Sequence, residues 1–142
     1  MDAACDYVNA AIPLFRERKL PVIWVQHKEP EEKVVPGEPG FDFIDSLKPE
    51  AGDHHVIKEY GNAFNKTDCL KILKDNDIDT VILTGYCAEQ CVLSTYREAL
   101  DLDLCPVILR NALAGNNADN ITFVENISMI ISFRVLKKVM QG

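Results

Sequence analysis

The sequence has no apolar stretch that approaches the roughly 20 residues needed for a transmembrane helix. It is also short of positive charge, with 15 Lys and Arg against 22 Asp and Glu and a formal net charge of −7. This acidic balance argues against binding to nucleic acid or to an anionic membrane surface. No basic segment followed by an apolar one opens the chain, so a secretory signal peptide is not predicted.

The cysteines include no CxxC pair of the kind found in redox proteins. The chain has five of them, and an odd number without close spacing indicates reduced thiols and a cytoplasmic location. Cys87 and Cys91 have CxxxC spacing, which leaves a peroxide-sensitive pair open as an alternative. Cys5, Cys69 and Cys105 are predicted to be small core residues.

Histidine is scarce, and its placement does not favour a metal site. His54 and His55 are adjacent, so in an extended segment their side chains point to opposite faces and cannot easily converge on one ion. The remaining histidine is His27, far away in the sequence. We therefore predict no metal and no cofactor.

With 142 residues, of which 47% are hydrophobic, the chain is expected to form one domain with a substantial core. Apolar runs and helical periodicities alternate along it, and this alternation predicts a parallel sheet covered by helices on both faces. Trp24 is predicted to lie in that core. The predicted helices are 2–19, 67–76, a segment from Ala88, one capped by Asn117 or Asp119, and 133–140; the predicted strands are 21–25, 56–59, 81–83, 106–109 and 128–132; the predicted loops are 28–52 and 110–117.

The stretch 80–99 carries the strongest chemical signal. A short apolar strand ends at Gly85, and helical spacing begins at Ala88, with Cys91 in the first turn of the helix. Free backbone N–H groups and the positive end of the helix dipole favour the thiolate, which is the nucleophilic form of a cysteine. The same N–H groups can hold a developing oxyanion.

This stretch, TGYCAEQCV followed by Thr95 and Ala99, resembles the nucleophile loop of the isochorismatase-like cysteine hydrolases. That family includes nicotinamidases, carbamoylsarcosine amidohydrolases and isochorismatases. The resemblance implies a three-layer α/β/α sandwich with a mostly parallel sheet. It also implies hydrolysis of a small amide or related bond through a thioester on Cys91, a small-molecule substrate and a homo-oligomer. By position it further implies a cis peptide between Tyr86 and Cys87, and an oxyanion hole formed by the N–H groups of Cys87 and Cys91.

A second segment, VIKEYGNAF, resembles the part of the family that supplies the catalytic lysine just after a strand. Lys58 matches that lysine, and Ala63 and Phe64 match the small residue and phenylalanine that follow it. A lysine beside a thiol favours the ionised sulfur and can move a proton. The alternative interpretation is a solvated surface lysine.

The third member of the family triad is an aspartate at the end of the first strand, and the chain has no such segment. It begins where the first helix is expected, and Asp2 and Asp6 fall at the start of that helix or within it, so neither is assigned the role. The missing strand is expected to be central, which would leave its neighbours unpaired and a slot in the core. We therefore interpret residues 1–142 as an N-terminally incomplete domain. Met1 is predicted to be an internal methionine, and this chain alone is expected to be nearly inactive.

Substrate contacts are predicted at two places. Gln26 and His27 follow a predicted strand at the end where open α/β sheets bind ligands, and Tyr86 and Glu89 flank the nucleophile. As an alternative, these side chains are simply exposed. The metal-binding Asp-x-His tripeptide of nicotinamidases does not occur. Two functions remain open: a cysteine hydrolase of small amides, and a non-catalytic binding or oligomerisation module with the same fold.

Overall fold

The computed structural model describes residues 2–142, and Met1, the predicted internal start, lies outside them. No helix in this part of the chain is both long and apolar enough to cross a membrane. Helices and strands alternate as predicted. The helices are α1 (Asp2–Arg16), α2 (Cys69–Asp75), α3 (Leu93–Asp101), α4 (Ala118–Asn126) and α5 (Phe133–Gln141); the strands are β1 (Ile23–His27), β2 (His54–Lys58), β3 (Thr80–Tyr86), β4 (Cys105–Ala114) and β5 (Ile130–Ile131).

The strand pairs β1–β2, β3–β4 and β4–β5 are all parallel. Successive side chains of β4 enter different cores, because side chains alternate between the faces of a strand. Ile108 packs in one core with Val92, Tyr96 and Val124, from the side of α3 and α4. Leu109 packs in the other core, which is formed with α1 and α5. Helices therefore cover both faces, and the predicted three-layer α/β/α fold is confirmed.

The strands do not form one continuous sheet within residues 2–142. The pair β1–β2 is one sheet and β3–β4–β5 is another. A cavity of about 250 Å³ separates them. Its walls include Ile23–Val25 of β1 and Thr80–Thr84 of β3; Ala11 and Phe15 of α1 and Leu73 of α2 also line it. We call this cavity the slot.

The slot is bordered by backbone as well as by side chains. The N–H of His54 donates to the carbonyl of Val22, and the N–H of Cys105 donates to that of Asp79. In a parallel pair, alternate residues direct their backbone groups to the same neighbour. The peptide groups of Ile23 and Ile82 therefore face the slot, where the described sheets offer them no strand partner.

Strand β4 is longer than predicted. The segment 110–117 was expected to be a loop, but β4 continues to Ala114, where it pairs with Tyr86 of β3. The register between the two strands shifts beyond Leu83, and Asn111 has a left-handed φ of 68°. The bulge absorbs extra residues and lets the strand resume, which an apolar-run pattern does not reveal.

The helix boundaries also differ in detail. Helix α1 ends at Arg16 rather than at Lys19, which has a left-handed φ of 57°. Helix α2 begins at Cys69, whose N–H donates to the hydroxyl of Thr67 at 3.2 Å. Asn117 caps α4 by accepting the N–H of Asp119 at 2.8 Å, which confirms one of the two predicted caps.

The core predictions hold for three of four side chains. Trp24 is buried, and its indole N–H donates to Asp53 Oδ2 at 2.8 Å. Cys5 and Cys69 are buried as well. Cys105 is exposed, so its predicted core position is wrong. It is the first residue of β4, where the strand has only begun to enter the sandwich.

Candidate active site

The ends of three parallel strands and the turn after β3 form the candidate site. Lys58 is the last residue of β2, His27 is the last residue of β1, and Cys91 lies in the turn that follows β3. Lys58 Nζ is 3.3 Å from Cys91 Sγ, although 33 residues separate them in the sequence. The fold thus brings together the two residues that were predicted to be catalytic.

Lys58 is only 5% exposed, which is unusual for a lysine. Its ammonium group has three N–H donors, and three acceptors surround it. These are Cys91 Sγ at 3.3 Å, the carbonyl of Tyr60 at 2.9 Å and His27 Nδ1 at 3.1 Å. A buried charge is costly unless it is hydrogen-bonded, and this arrangement satisfies every donor of the ammonium. The alternative of a solvated surface lysine is therefore wrong.

His27 connects Lys58 to a carboxylate. Its side chain is 33% exposed, and its Nε2 lies 3.1 Å from Glu29 Oε2. Because the ammonium of Lys58 can only donate, Nδ1 of His27 is an acceptor and the ring proton is on Nε2, facing Glu29. The strand register produces this contact, since His27 and Lys58 are direct partners in the β1–β2 pair.

The turn that carries Cys91 has an unusual backbone. The peptide between Tyr86 and Cys87 is cis, as predicted. Residues Ala88–Val92 then form a π-helical turn before α3 begins, so the first turn after Ala88 is wider than the predicted α-helix. The carbonyl of Cys87 accepts hydrogen bonds from the N–H groups of Gln90 and Val92, each at 3.1 Å, but not from the N–H of Cys91. The oxyanion hole at the N–H groups of Cys87 and Cys91 stays a prediction.

The two thiols of the turn have different surroundings. Cys87 is buried, and burial, followed by the neighbouring carboxylate of Glu89, raises the pKa of its thiol. Cys91 is partly exposed and lies on the ammonium of Lys58. Of the two, only Cys91 has a cation within hydrogen-bond distance of its sulfur. The surroundings therefore separate a nucleophile candidate, Cys91, from a protonated core cysteine, Cys87.

Two of the four predicted substrate contacts place a side-chain polar atom inside the protein. Gln26 Nε2 donates to the carbonyl of Phe41 at 2.9 Å, which fixes the 28–52 loop. The Oε2 of Glu89 is buried, and the pKa of Glu89 is lowered, chiefly by its own backbone N–H and then by the Cys87 thiol. Their roles as substrate contacts stay predictions.

The other two predicted substrate contacts reach solvent. Tyr86 is 55% exposed, and its hydroxyl donates to Asn116 Oδ1 at 3.0 Å. His27 also reaches solvent, beside Lys58. Both residues therefore lie where a substrate can touch them, and their role as substrate contacts stays a prediction.

Two contributors to the site were missed in the sequence. Glu29 follows His27 by two residues, and this spacing at a strand end was the available signal. The Tyr60 carbonyl gives no signal in side-chain patterns. Among residues 2–142 there is no group of three or more His, Cys, Asp and Glu side chains that could hold a metal ion.

Comparison with known proteins agrees with this architecture. An isochorismatase-like hydrolase from Alkaliphilus metalliredigens superposes with a TM-score of 0.88 at 24% identity, over 96% of this chain and 83% of that one. N-carbamoylsarcosine amidase from Thermoplasma acidophilum gives a TM-score of 0.80 at 25% identity, over 92% of this chain and 83% of that one.

Sequence relatives point the same way. Maleamate amidohydrolase of Pseudomonas putida is 25% identical over 97 residues, which cover 68% of this chain and 46% of that protein. The uncharacterized isochorismatase family protein YrdC of Bacillus subtilis is 28% identical over 133 residues, or 87% of this chain and 71% of that protein. The chain thus spans a little under half the length of the maleamate amidohydrolase.

The fold and the site together define the class of protein. It is an α/β sandwich with parallel strands, and a buried lysine contacts a cysteine thiol at the strand ends. A family model for the isochorismatase domain matches residues 1–128, which is most of the chain. The chain belongs to the isochorismatase family.

Proposed function

We propose that the protein is a cysteine hydrolase that cleaves a small amide or related bond. The observation that carries this proposal is the contact of 3.3 Å between Lys58 Nζ and Cys91 Sγ. An ammonium held against a sulfur stabilises the thiolate that attacks a carbonyl. The names of two relatives, maleamate amidohydrolase and N-carbamoylsarcosine amidase, support an amide as the bond that is cleaved.

The reaction has two stages. The Cys91 thiolate attacks the substrate carbonyl, the N–H groups of Cys87 and Cys91 hold the oxyanion, and the amine leaves with a proton to give a thioester. Water then attacks the thioester, which releases the acid and restores the thiol. Lys58 stabilises the thiolate, and its ammonium, in contact with the sulfur, can hand a proton to the leaving nitrogen.

The test is the reactivity of Cys91 toward iodoacetamide as a function of pH, together with hydrolysis of a panel that includes maleamate, N-carbamoylsarcosine and nicotinamide. We expect fast alkylation of Cys91 near neutral pH and slow but measurable turnover of at least one amide, since this chain alone is expected to be nearly inactive. Cys91→Ser should remove both. Cys105→Ser is the matched control. Cys105 is exposed and is the first residue of β4, whereas the site lies at the C-terminal ends of the strands. Alkylation of Cys91 only above about pH 8.5, the range of an ordinary thiol, together with no turnover, would overturn the proposal.

The slot favours the second candidate, a non-catalytic binding or oligomerisation module, because strand edges that face a cavity can pair with an added strand. The two candidates are distinguished by the alkylation experiment, since a module needs no reactive thiol.

We also propose that the domain is N-terminally incomplete and that an additional central strand fills the slot. The homo-oligomer and the cytoplasmic location stay predictions.

A further inference from the structure

We propose that His27, oriented by Glu29, is a positioning residue that accepts and returns the proton of the Cys91 thiol through Lys58. The inference rests on the proposed hydrolase function and adds a proton acceptor to it. It addresses a specific need, because no aspartate in the chain has the sequence context of the family acid. Glu29, His27, Lys58 and Cys91 form an unbroken chain of contacts from solvent to the sulfur.

The geometry sets the direction of proton movement. Lys58 donates to Nδ1 of His27 at 3.1 Å, and the lone pair of that nitrogen accepts this hydrogen bond because the ring proton is on Nε2, facing Glu29. Nδ1 is therefore ready to receive a proton from the ammonium. The carboxylate of Glu29, 3.1 Å from Nε2, stabilises the positive charge that develops on the ring. The same logic operates where a carboxylate orients the histidine that serves a nucleophile.

The proton transfer balances within this chain of groups. One N–H bond of Lys58 breaks and that proton forms a bond with His27 Nδ1; the lone pair that this leaves on Nζ then takes the proton of Cys91 as its S–H bond breaks. Before the transfer, the charges are those of one ammonium and one carboxylate. Afterwards there is a thiolate beside an ammonium and an imidazolium beside a carboxylate, so the net charge is unchanged. During acylation the path reverses, and His27 returns the proton through Lys58 to the leaving nitrogen.

The groups that face this path come from three elements. Lys58 belongs to β2, Cys91 to the π-helical turn after β3, and Glu29 to the segment after β1. The Tyr60 carbonyl accepts the remaining proton of Lys58 at 2.9 Å and holds the amine in place during the exchange. Glu29 is 49% exposed at its side chain, so the outer end of the path meets water.

The experiment uses His27→Gln and Glu29→Gln in the full chain. A glutamine at position 27 offers an oxygen that can accept from Lys58, but it cannot take up a proton. A purely structural role would therefore be preserved, whereas the proton role would be lost. The matched controls are His55→Gln and Glu31→Gln, which change exposed residues of the same types. Thermal unfolding checks that all variants are folded.

We expect two results for His27→Gln. The midpoint of the Cys91 alkylation profile should move to higher pH, and hydrolysis near pH 7 should fall by about 10²-fold or more. Glu29→Gln should move the midpoint in the same direction by a smaller amount, and the controls should leave both readouts unchanged. An alkylation profile that is identical in wild type and His27→Gln would overturn the relay, whether or not a substrate is at hand. If Cys91 of the wild type reacts only as an ordinary thiol, the hydrolase proposal itself has failed, which is a different outcome.

Discussion

The strand ends and the middle of the sheet differ in whether their polar groups have hydrogen-bond partners. At the strand ends, all three donors of the buried Lys58 are satisfied. In the middle, peptide groups of β1 and β3 face the slot across a cavity of about 250 Å³. The comparison shows that the site can assemble although the strands beneath it are not joined into one sheet.

Contacts near the site connect the two sheets to each other. The bond between Lys58 and Cys91 connects β2 to the turn after β3. The N–H of Ala63, in the segment after β2, donates to Thr95 Oγ1 of α3 at 3.0 Å. The lysine–cysteine pair is thus a structural link as well as a chemical one.

The largest effect is expected when the slot is filled, because this would complete the middle of the sheet. An added N-terminal apolar strand that pairs with β1 and β3 should raise the free energy of unfolding by up to about 6 kcal/mol, taking about 24 cal/mol per Å³ for the cavity of about 250 Å³. Urea unfolding measures the gain. The matched control is the same extension with prolines at the positions that must donate hydrogen bonds.

The extension also tests the source of the acid. An extended form that ends its strand in an aspartate should hydrolyse amides about 10²-fold faster or more if that carboxylate is required. Equal turnover by the two forms would instead show that the proton acceptor lies within residues 2–142, which is what the His27–Glu29 pair offers.

The next effect in size concerns the strand ends. Lys58→Met keeps an unbranched side chain but removes the ammonium, so hydrolysis should fall by about 10²–10⁴-fold. The fold should persist, because methionine fills the buried channel without leaving a charge unpaired. Activity and thermal unfolding are compared with those of Lys66→Met, in which an exposed lysine is changed. Unaltered turnover in Lys58→Met would remove the lysine from the mechanism.

A smaller effect is expected at Asp53, beside the slot-lining strand β1. Burial disfavours its ionised form, but hydrogen bonds from Arg16, the Glu50 N–H and Trp24 outweigh burial and lower its pKa from 3.8 to about 2. The stability that this carboxylate contributes is complete above pH 4 and is lost as the pH falls through 2. It corresponds to about 2 kcal/mol, since one pKa unit is about 1.4 kcal/mol.

Asp53→Asn should therefore lower the free energy of unfolding by about 2 kcal/mol at pH 7 and flatten its dependence between pH 4 and 2. Denaturant unfolding at several pH values measures both. Asp75→Asn is the control, because its pair with Lys71 is on the surface and should matter less. An equal response of the two variants would contradict the assignment.

The smallest effect is expected for Tyr86→Phe at the rim of the site. The hydroxyl bond to Asn116 is exposed to water, so its loss should change stability by less than about 1 kcal/mol. A rise in KM without a loss of stability would support the predicted contact with substrate. Tyr60→Phe, which changes another exposed tyrosine, provides the comparison.

Much of this architecture could be predicted because it depends on local patterns. Apolar runs and helical spacing indicated the five strands and the five α-helices of residues 2–142, and the turn around Cys91 could be identified from its residues. The end of β4 could not, since its last pairs, such as Gly85 with Leu113, form only after a bulge. The π-helical turn likewise follows from packing rather than from composition.

The contact between His27 and Lys58 could not be predicted from the sequence, for a different reason. It depends on which residues of β1 and β2 face one another, and 25 or more intervening residues give no information on that register. Glu29 could not be recognised as part of the site until the position of His27 was known.

The register of β1 and β2 has a consequence for how the chain tolerates insertions and deletions. The two strands are joined by the long 28–52 loop, whose middle part can gain or lose residues without changing the partners of His27. One extra residue within Ile23–Gln26 would instead turn the His27 ring to the opposite face of the sheet, away from Lys58. Length changes in this lineage should therefore accumulate in the loop and stay out of a five-residue strand.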